Sequence, residues 1–288
     1  MAKTKRTMAP GERIGLYLSR IIVIIGMLFA IIPMYFVLRA SFSPGTSFYS
    51  TNPFNWSNIT LANYTSLFHP FASGYSFAQW LANTFFVTII VSVIQVVITI
   101  SAAFAFSRMK FWGRRYGLMT LLLLQMFPSL MSAAAFYIVL SDIHGLDNLW
   151  WYIAILCGGS AYNIWLMKGY MDTVPRDLDE AAVVDGASNF RIFWQIILPL
   201  TLPMIVVIFI FSFIGNFTEY PLANLLLTSP NHYTVGLGLY WLLNPASHAQ
   251  NFTQFSAAAL IIAVPITVVY MIFQKWIVSG LTAGAVKG

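Results

Sequence analysis

Six apolar runs, each close to the ~20 residues that a helix needs to cross ~30 Å of hydrocarbon, dominate this sequence. They lie at Leu18–Leu38, Trp80–Phe106, Gly117–Leu140, Leu149–Met167, Leu200–Tyr220 and Phe255–Gln274. Inside a bilayer only helices and closed barrels satisfy every backbone polar group, so runs of this length predict an all-α polytopic membrane protein with six transmembrane helices. The charge content agrees. Of 288 residues 8% are charged and 59% hydrophobic, against roughly 25% charge in a soluble globular chain. That is too little polar surface to cover a water-exposed globule. Disorder, collagen-like repeats and a disulfide scaffold are excluded by the same numbers. The single cysteine, Cys157, cannot form an internal bridge and reads as a buried, inert thiol in an apolar run.

The basic residues orient the spans. With the N-terminus inside, the cytoplasmic segments hold Lys3, Lys5, Arg6, Arg13, Arg20, Arg108, Lys110, Arg114, Arg115, Lys168, Arg176, Arg191, Lys275 and Lys287, fourteen of the fifteen Lys and Arg. Only Arg39, at the outer end of the first span, is an exception. This asymmetry predicts N-in, C-in topology, and topological anchoring is the plain reading of the cationic clusters, with no nucleic-acid partner implied. The first run is longer than a signal-peptide core, so it reads as an uncleaved span. The chain then divides into a cytoplasmic segment 1–17, a transmembrane domain 18–274 and a cytoplasmic tail 275–288.

The external segments, about 40–79 and 221–254, look folded. Turn signals at Ser43-Pro44-Gly45 and Asn52-Pro53 predict a short cap over the first two spans. The second segment carries His232, Tyr233, Gly236, Gly238, Tyr240, Trp241, Asn244 and Pro245, a mixture suited to meeting a ligand or partner, or to interfacial anchoring. The four histidines, His69, His144, His232 and His248, show no metal-ligand spacing, so no metal site is expected.

The cytoplasmic stretch of about 168–199 is long for a nearly all-membrane chain. It predicts two short helices. Pro175 suits a first turn, Asp177, Asp179 and Glu180 lie near the positive end of the dipole, and Ala181, Ala182, Val183 and Val184 continue the helix. Gly186 permits a turn, Ser188 or Asn189 can cap a second helix over Phe190–Ile197, and Pro199 and Pro203 bracket the start of the fifth span.

Polar side chains inside the spans include Gln95, Thr99, Ser101, Gln125, Ser129, Ser132, Asn163 and Asn216. Facing lipid they would be costly, so they serve either as helix-packing contacts or as lining of a solute pathway. Gln125, Ser129, Asn163, Asn216 and the carboxylate Glu219 near the outer end of span five are the candidates for the pathway. Gln125, Pro128 and Ser129 suggest a kink in span three, and Gly158, Gly159 and Ser160 close helix contact in span four. No phosphate-binding G-x-x-x-x-G-K-[ST] loop, H-E-x-x-H or G-x-S-x-G motif occurs, so the chain is not read as an enzyme.

The loop also carries a resemblance. Glu180-Ala181-Ala182, three residues, Gly186, nine residues and Ile196-x-Leu198-Pro199 resembles the EAA loop of permease subunits from binding-protein-dependent ABC importers, and it falls between spans four and five, as in that family. Phe217–Leu222, Ala257–Pro265 and the tail Gly280–Gly288 resemble the sugar-importing branch, in particular the smaller permease subunit of maltose and maltodextrin transporters.

The resemblance implies a type I ABC importer permease fold in a bacterial or archaeal plasma membrane. Its implied partners are a second permease subunit, two copies of a cytoplasmic ATPase that bind ATP and Mg, and an extracellular solute-binding protein. No cofactor is implied in this chain. Glu180 would pair with a basic residue of the ATPase, Ala181 and Ala182 would keep the helix narrow, Gly186 would allow the bend, and Ile196, Leu198 and Pro199 complete the coupling set. Gly284, Lys287 and Gly288 of the tail would contact the ATPase pair. A stand-alone secondary transporter of a small polar solute and a membrane enzyme are the competing readings. Inverted repeats, paired membrane charges or a catalytic constellation would mark them, and none is visible.

Overall fold

The computed structural model describes residues 10–47, 54–70, 76–158, 160–243 and 251–282, and every regular element among them is helical. The tail residues Gly284, Lys287 and Gly288, the turn Asn52-Pro53, and Gly159, Asn244, Pro245 and His248 lie outside the described residues.

The chain forms two units. One comprises residues 1–66 and 242–260, the other 67–241 and 261–288. In the first, helix α1 (Pro10–Ser41) carries the first apolar run, with Ile21, Ile22, Val23, Ile24 and Ile25 each more than half exposed. Beyond it the chain does form a cap, tied by side-chain bonds to backbone. Asn63, on α2 (Ala62–Phe68), donates to the carbonyls of Ser41 and Ser43 at 2.9 and 2.8 Å. Thr253 donates to Gly45 O at 2.6 Å, and Phe252 N–H donates to Thr46 O at 2.8 Å. These bonds join the cap to the start of the last helix. Arg39 is buried in this unit. It donates to Ser43 and Asn55, with its guanidinium 5.1 Å from the Trp56 ring.

The second unit is built on α3 (Phe77–Arg108), capped by Ser76. Its 32 residues make about 48 Å at 1.5 Å per residue, more than the ~30 Å hydrocarbon core. Phe77, Trp80, Thr84, Val87 and Val91 recur at helical spacing and form its buried face. The third and fourth apolar runs are not single helices. The third is α4 (Arg114–Gln125) and α5 (Ser129–Asp142), broken at the predicted kink by Pro128. The fourth is α6 (Leu149–Leu156) and α7 (Ala161–Asp172), two helices in place of one. Cys157 is consequently half-buried, not buried.

The loop helices follow: α8 (Asp177–Val184) and α9 (Asn189–Leu200), the latter with a π-helical turn over Phe193–Ile197. A 78° bend leads into α10 (Leu202–Phe217). Pro203 has no N–H to offer the carbonyl of Pro199, so the ladder loses a bond there, while the Ile197 carbonyl accepts both the Thr201 N–H at 3.0 Å and the buried Thr201 hydroxyl at 2.8 Å. The chain then runs through α11 (Pro221–Leu226), a 3₁₀ turn (Pro230–His232) and α12 (Val235–Leu243) to α13 (Phe252–Thr282).

Two apolar clusters hold the second unit. One gathers Val87, Val91, Tyr152, Ile153, Ala223, Leu226 and Leu237. The other, toward the C-terminal end of α3, gathers Phe104, Met167, Met171, Ala182, Ile192, Ile197 and Val207. The loop thus shares a core with the spans.

Candidate functional site

Helix α8 is only 8 residues long, too short to persist alone, so its stability has to come from contacts. Its first turn holds Asp177, Asp179 and Glu180, the favourable end of the dipole for carboxylates. Its end is a Schellman turn. Ala187 N–H donates to Ala182 O at 2.9 Å and Gly186 N–H to Val183 O at 3.0 Å, with Gly186 at φ 79°, a left-handed conformation that favours glycine. Ser188 then caps α9, accepting from Arg191 N–H. The expected turn at Gly186 and the Ser188 cap are both present.

The loop is clamped to the end of α3 by charges that the sequence reading assigned only to topology. Arg108 pairs through Nε with Asp179 at 2.7 Å, the two side chains 7% and 17% exposed, and its Nη2 donates to Val174 O at 2.8 Å. Ser107 donates to Asp172 at 2.6 Å, and Lys168 reaches the same carboxylate at 2.5 Å. Burial works against the Asp172 carboxylate, but Lys168 and the Ser107 hydroxyl outweigh it and hold its pKa below the ordinary value. Arg108, Asp172 and Asp179 are therefore site residues that sequence reasoning missed. The available signal was a basic group at Arg108 and carboxylates at Asp172 and Asp179 on two separate stretches of the chain, and pairing them needs the fold.

The coupling residues separate onto two faces. Glu180 and Ala181 are exposed, while Ala182 is buried with Ile192 and Ile197 in the shared core. Ala182 thus packs its small side chain against the core of its own chain. Ile196 and Leu198 pack on that core and Pro199 is exposed. On the two loop helices Leu178, Val183, Val184, Phe190 and Trp194 are 43%, 58%, 87%, 72% and 51% exposed, alongside the exposed Asp177, Asp185 and Arg191. Beside it a cleft of about 320 Å³ is lined by Arg108, Arg176, Asp179, Glu180, Asn189 and Ile192 among others.

Three of the five pathway candidates, Gln125, Asn216 and Glu219, are engaged in internal bonds. Gln125 accepts from Tyr162 N–H at 2.9 Å and donates to Ser160 at 3.3 Å. Gln95 donates to the Leu156 carbonyl at 2.7 Å and accepts from Asn216 at 3.1 Å. Both glutamines thus satisfy backbone or capping groups freed where span four breaks. Glu219 accepts from the N–H groups of Leu222 and Ala223 at 2.7 and 3.1 Å and from the Tyr152 hydroxyl, capping α11. Asn163 is buried, and the side chain of Ser129 lies outside the described residues. Of the five, Gln125 also lines a largely apolar cleft of about 500 Å³ with Ile98, Leu121, Cys157 and Ala161.

Residues 95–283 match the family model of the binding-protein-dependent transport system inner membrane component. The chain is 40% identical over 258 residues to the galactooligosaccharides transport system permease protein GanQ of Bacillus subtilis, covering 89% of this chain and 90% of that one. It is 42% identical over 214 residues to the maltodextrin transport system permease protein MdxG of the same organism, covering 74% and 76%. It is 40% identical over 215 residues to the maltose/maltodextrin transport system permease protein MalG of Escherichia coli K12, covering 73% and 72%. Among solved structures, a chain of a bacterial ABC transporter involved in import of the acidic polysaccharide alginate superposes with a TM-score of 0.75, at 24% identity and over 94% of this chain and 99% of that one. That likeness concerns the fold.

Proposed function

The chain belongs to the binding-protein-dependent transport system inner membrane components, and from that premise we propose that it is one permease subunit of an ATP-driven oligosaccharide importer. It forms half of a translocation pore with a second permease. Two copies of a cytoplasmic ATPase bind ATP and Mg, one of them docking on the Glu180 loop of this chain and the other on the second permease, and an extracellular binding protein delivers a maltodextrin-like sugar. The tail, with Gly284, Lys287 and Gly288, meets the ATPase pair. The observation that carries this reading is the loop itself. It presents an exposed carboxylate, Glu180, among other exposed polar and apolar side chains, and it is held to α3 by the Arg108–Asp179 ion pair and a shared core. A force applied to that loop reaches the spans without passing through a soft joint.

Purification of the chain from its native membrane tests this. It should bring down a second permease and an ATP-binding subunit. Glu180→Lys should reduce both the ATPase retained and sugar uptake by on the order of tenfold, the equivalent of one charge-assisted contact of about 1.5 kcal/mol. Membrane accumulation of the chain should be unchanged. Uptake that continues in ATP-depleted vesicles under an ion gradient would overturn the proposal in favour of a secondary transporter.

A further inference from the structure

The turn from α3 into α4 holds a cleft of about 580 Å³ lined by Phe106, Lys110, Phe111, Gly113, Arg114, Arg115 and Lys168. Four of these seven are cations and none is a carboxylate. Lys168 is partly neutralised by Asp172, and Arg114 donates through Nε and Nη2 to the carbonyls of Phe106 and Ser107 at 3.0 and 2.9 Å. Neither Lys110 nor Arg115 has a carboxylate partner among the described residues; the Arg115 guanidinium lies 5.2 Å from the Tyr116 ring. The cluster carries an uncompensated positive charge at the end of a membrane-length helix.

Local structure sharpens this. Helix α4 opens with Arg114 and Arg115, has no acidic residue in its first turn, and is preceded by Gly113 at φ 90° with no side-chain cap. Cations at that end oppose the helix dipole, and an anion in the cleft would reverse the sign of the interaction. The rim belongs to a membrane surface. Met109 is 41% exposed, Phe111 44%, Trp112 99% and Tyr116 65%, the aromatic composition of an interfacial belt at the level of lipid head groups. Basic hollows between spans at that depth suit phosphorylated head groups, whose acyl chains lie against apolar side chains.

We infer that this cleft is a binding site for the phosphodiester head group of an anionic glycerophospholipid of the phosphatidylglycerol class, held by Lys110 and Arg115 with Arg114 and Lys168 behind them. The experiment is native mass spectrometry of the purified complex released from nanodiscs made of equal parts phosphatidylglycerol and phosphatidylcholine. Phosphatidylglycerol should be retained in preference. The double variant Lys110→Gln/Arg115→Gln should lose retention by on the order of tenfold or more, as expected for two surface cations. The charge-keeping pair Lys110→Arg/Arg115→Lys should retain it, separating loss of charge from misfolding. Lys275→Gln should match wild type, since the exposed Lys275 lies on another helix, α13, 4.2 Å from the Trp276 ring. Equal retention of the two lipids, an equal loss in Lys275→Gln, or unchanged retention in the double variant would overturn the inference. Displacement of the lipid by excess inorganic phosphate would overturn it too, by making this a soluble-anion site.

Discussion

At Gly186 no atom stands within 4 Å of where a Cβ would be, so a side chain there meets backbone strain and nothing else. Its φ of 79° is what the Schellman turn requires. Gly186→Val should cost about 1–2 kcal/mol at the turn, and Gly186→Asn, which tolerates the left-handed region, distinctly less. In uptake and ATPase-retention measurements the valine variant should be impaired and the asparagine variant close to wild type. Equal behaviour of the two would show that the turn's geometry is dispensable. Asp179 is the converse case, a residue defined by its partner. One of its carboxylate oxygens is buried without a hydrogen bond, and the other rests on Arg108. Removing Arg108 would leave a buried charge unpaired, which costs about 3–5 kcal/mol in comparable sites.

Short elements here are held by side chains that bond to the backbone of their neighbours. Trp80 donates to Pro230 O at 2.9 Å, Asn83 to Asn231 O and Tyr233 O at 2.7 and 3.0 Å, and Thr84 accepts from Val235 N–H at 2.8 Å, so one face of α3 seats the 221–243 segment. The seating is close: a Cβ at Gly238 would come within 2.2 Å of the Trp80 ring. Asp147, in left-handed conformation, clamps the same segment by accepting from Thr228 and Ser229 N–H at 2.9 and 2.8 Å, and it faces His232 at 3.2 Å. Burial opposes the Asp147 carboxylate, yet its bonds to Ser229, Thr228 and His232 outweigh that and lower its pKa. A lowered carboxylate pKa stabilises the fold above the ordinary value of 3.8, and the contribution is lost as pH falls through the folded-state value. Amide exchange at Thr228 and Ser229, corrected for intrinsic rates, should therefore stay protected at neutral pH and lose protection only below 3.8. Asp147→Asn should remove on the order of tenfold protection at neutral pH, the share of a bond to a charged group. Unchanged exchange in the variant would mean that Asp147 does not hold the segment.

For the whole molecule, the exposed apolar length of α1 is compatible only with lipid or another membrane protein around it. Among the described residues three helices pass the length and hydropathy requirement alone: Gly15–Ser41, Phe77–Arg108 and Phe252–Trp276. The remaining crossings of the six-span, N-in proposal must therefore be composite, from α4 with α5, α6 with α7, and the bent pair around Thr201. In a Cys157→Ser background, a cysteine at Ser57 should react with a membrane-impermeant thiol reagent in intact cells, whereas one at Asn189 should not; both positions are exposed in the fold. Labelling at 189 from outside would overturn the topology.

The apolar runs, the turn at Gly186, the cap at Ser188 and the kink at Pro128 were all legible in the amino-acid sequence, because each depends on hydropathy or on backbone preferences acting within a few residues. Family membership was legible for the same reason, through a motif confined to one loop. Which alanine of the motif is free and which is buried was not, since Ala181 and Ala182 are chemically identical and differ only in the face that the core covers. Nor could the sequence show that Gln95 and Gln125 repair a broken helix, or that Arg108 belongs to Asp179, 71 positions away by subtraction of their numbers. Those are pairings across the chain. Only the tertiary structure decides them, because hydrogen bonds and ion pairs act over about 3–4 Å of space and take no account of separation along the sequence.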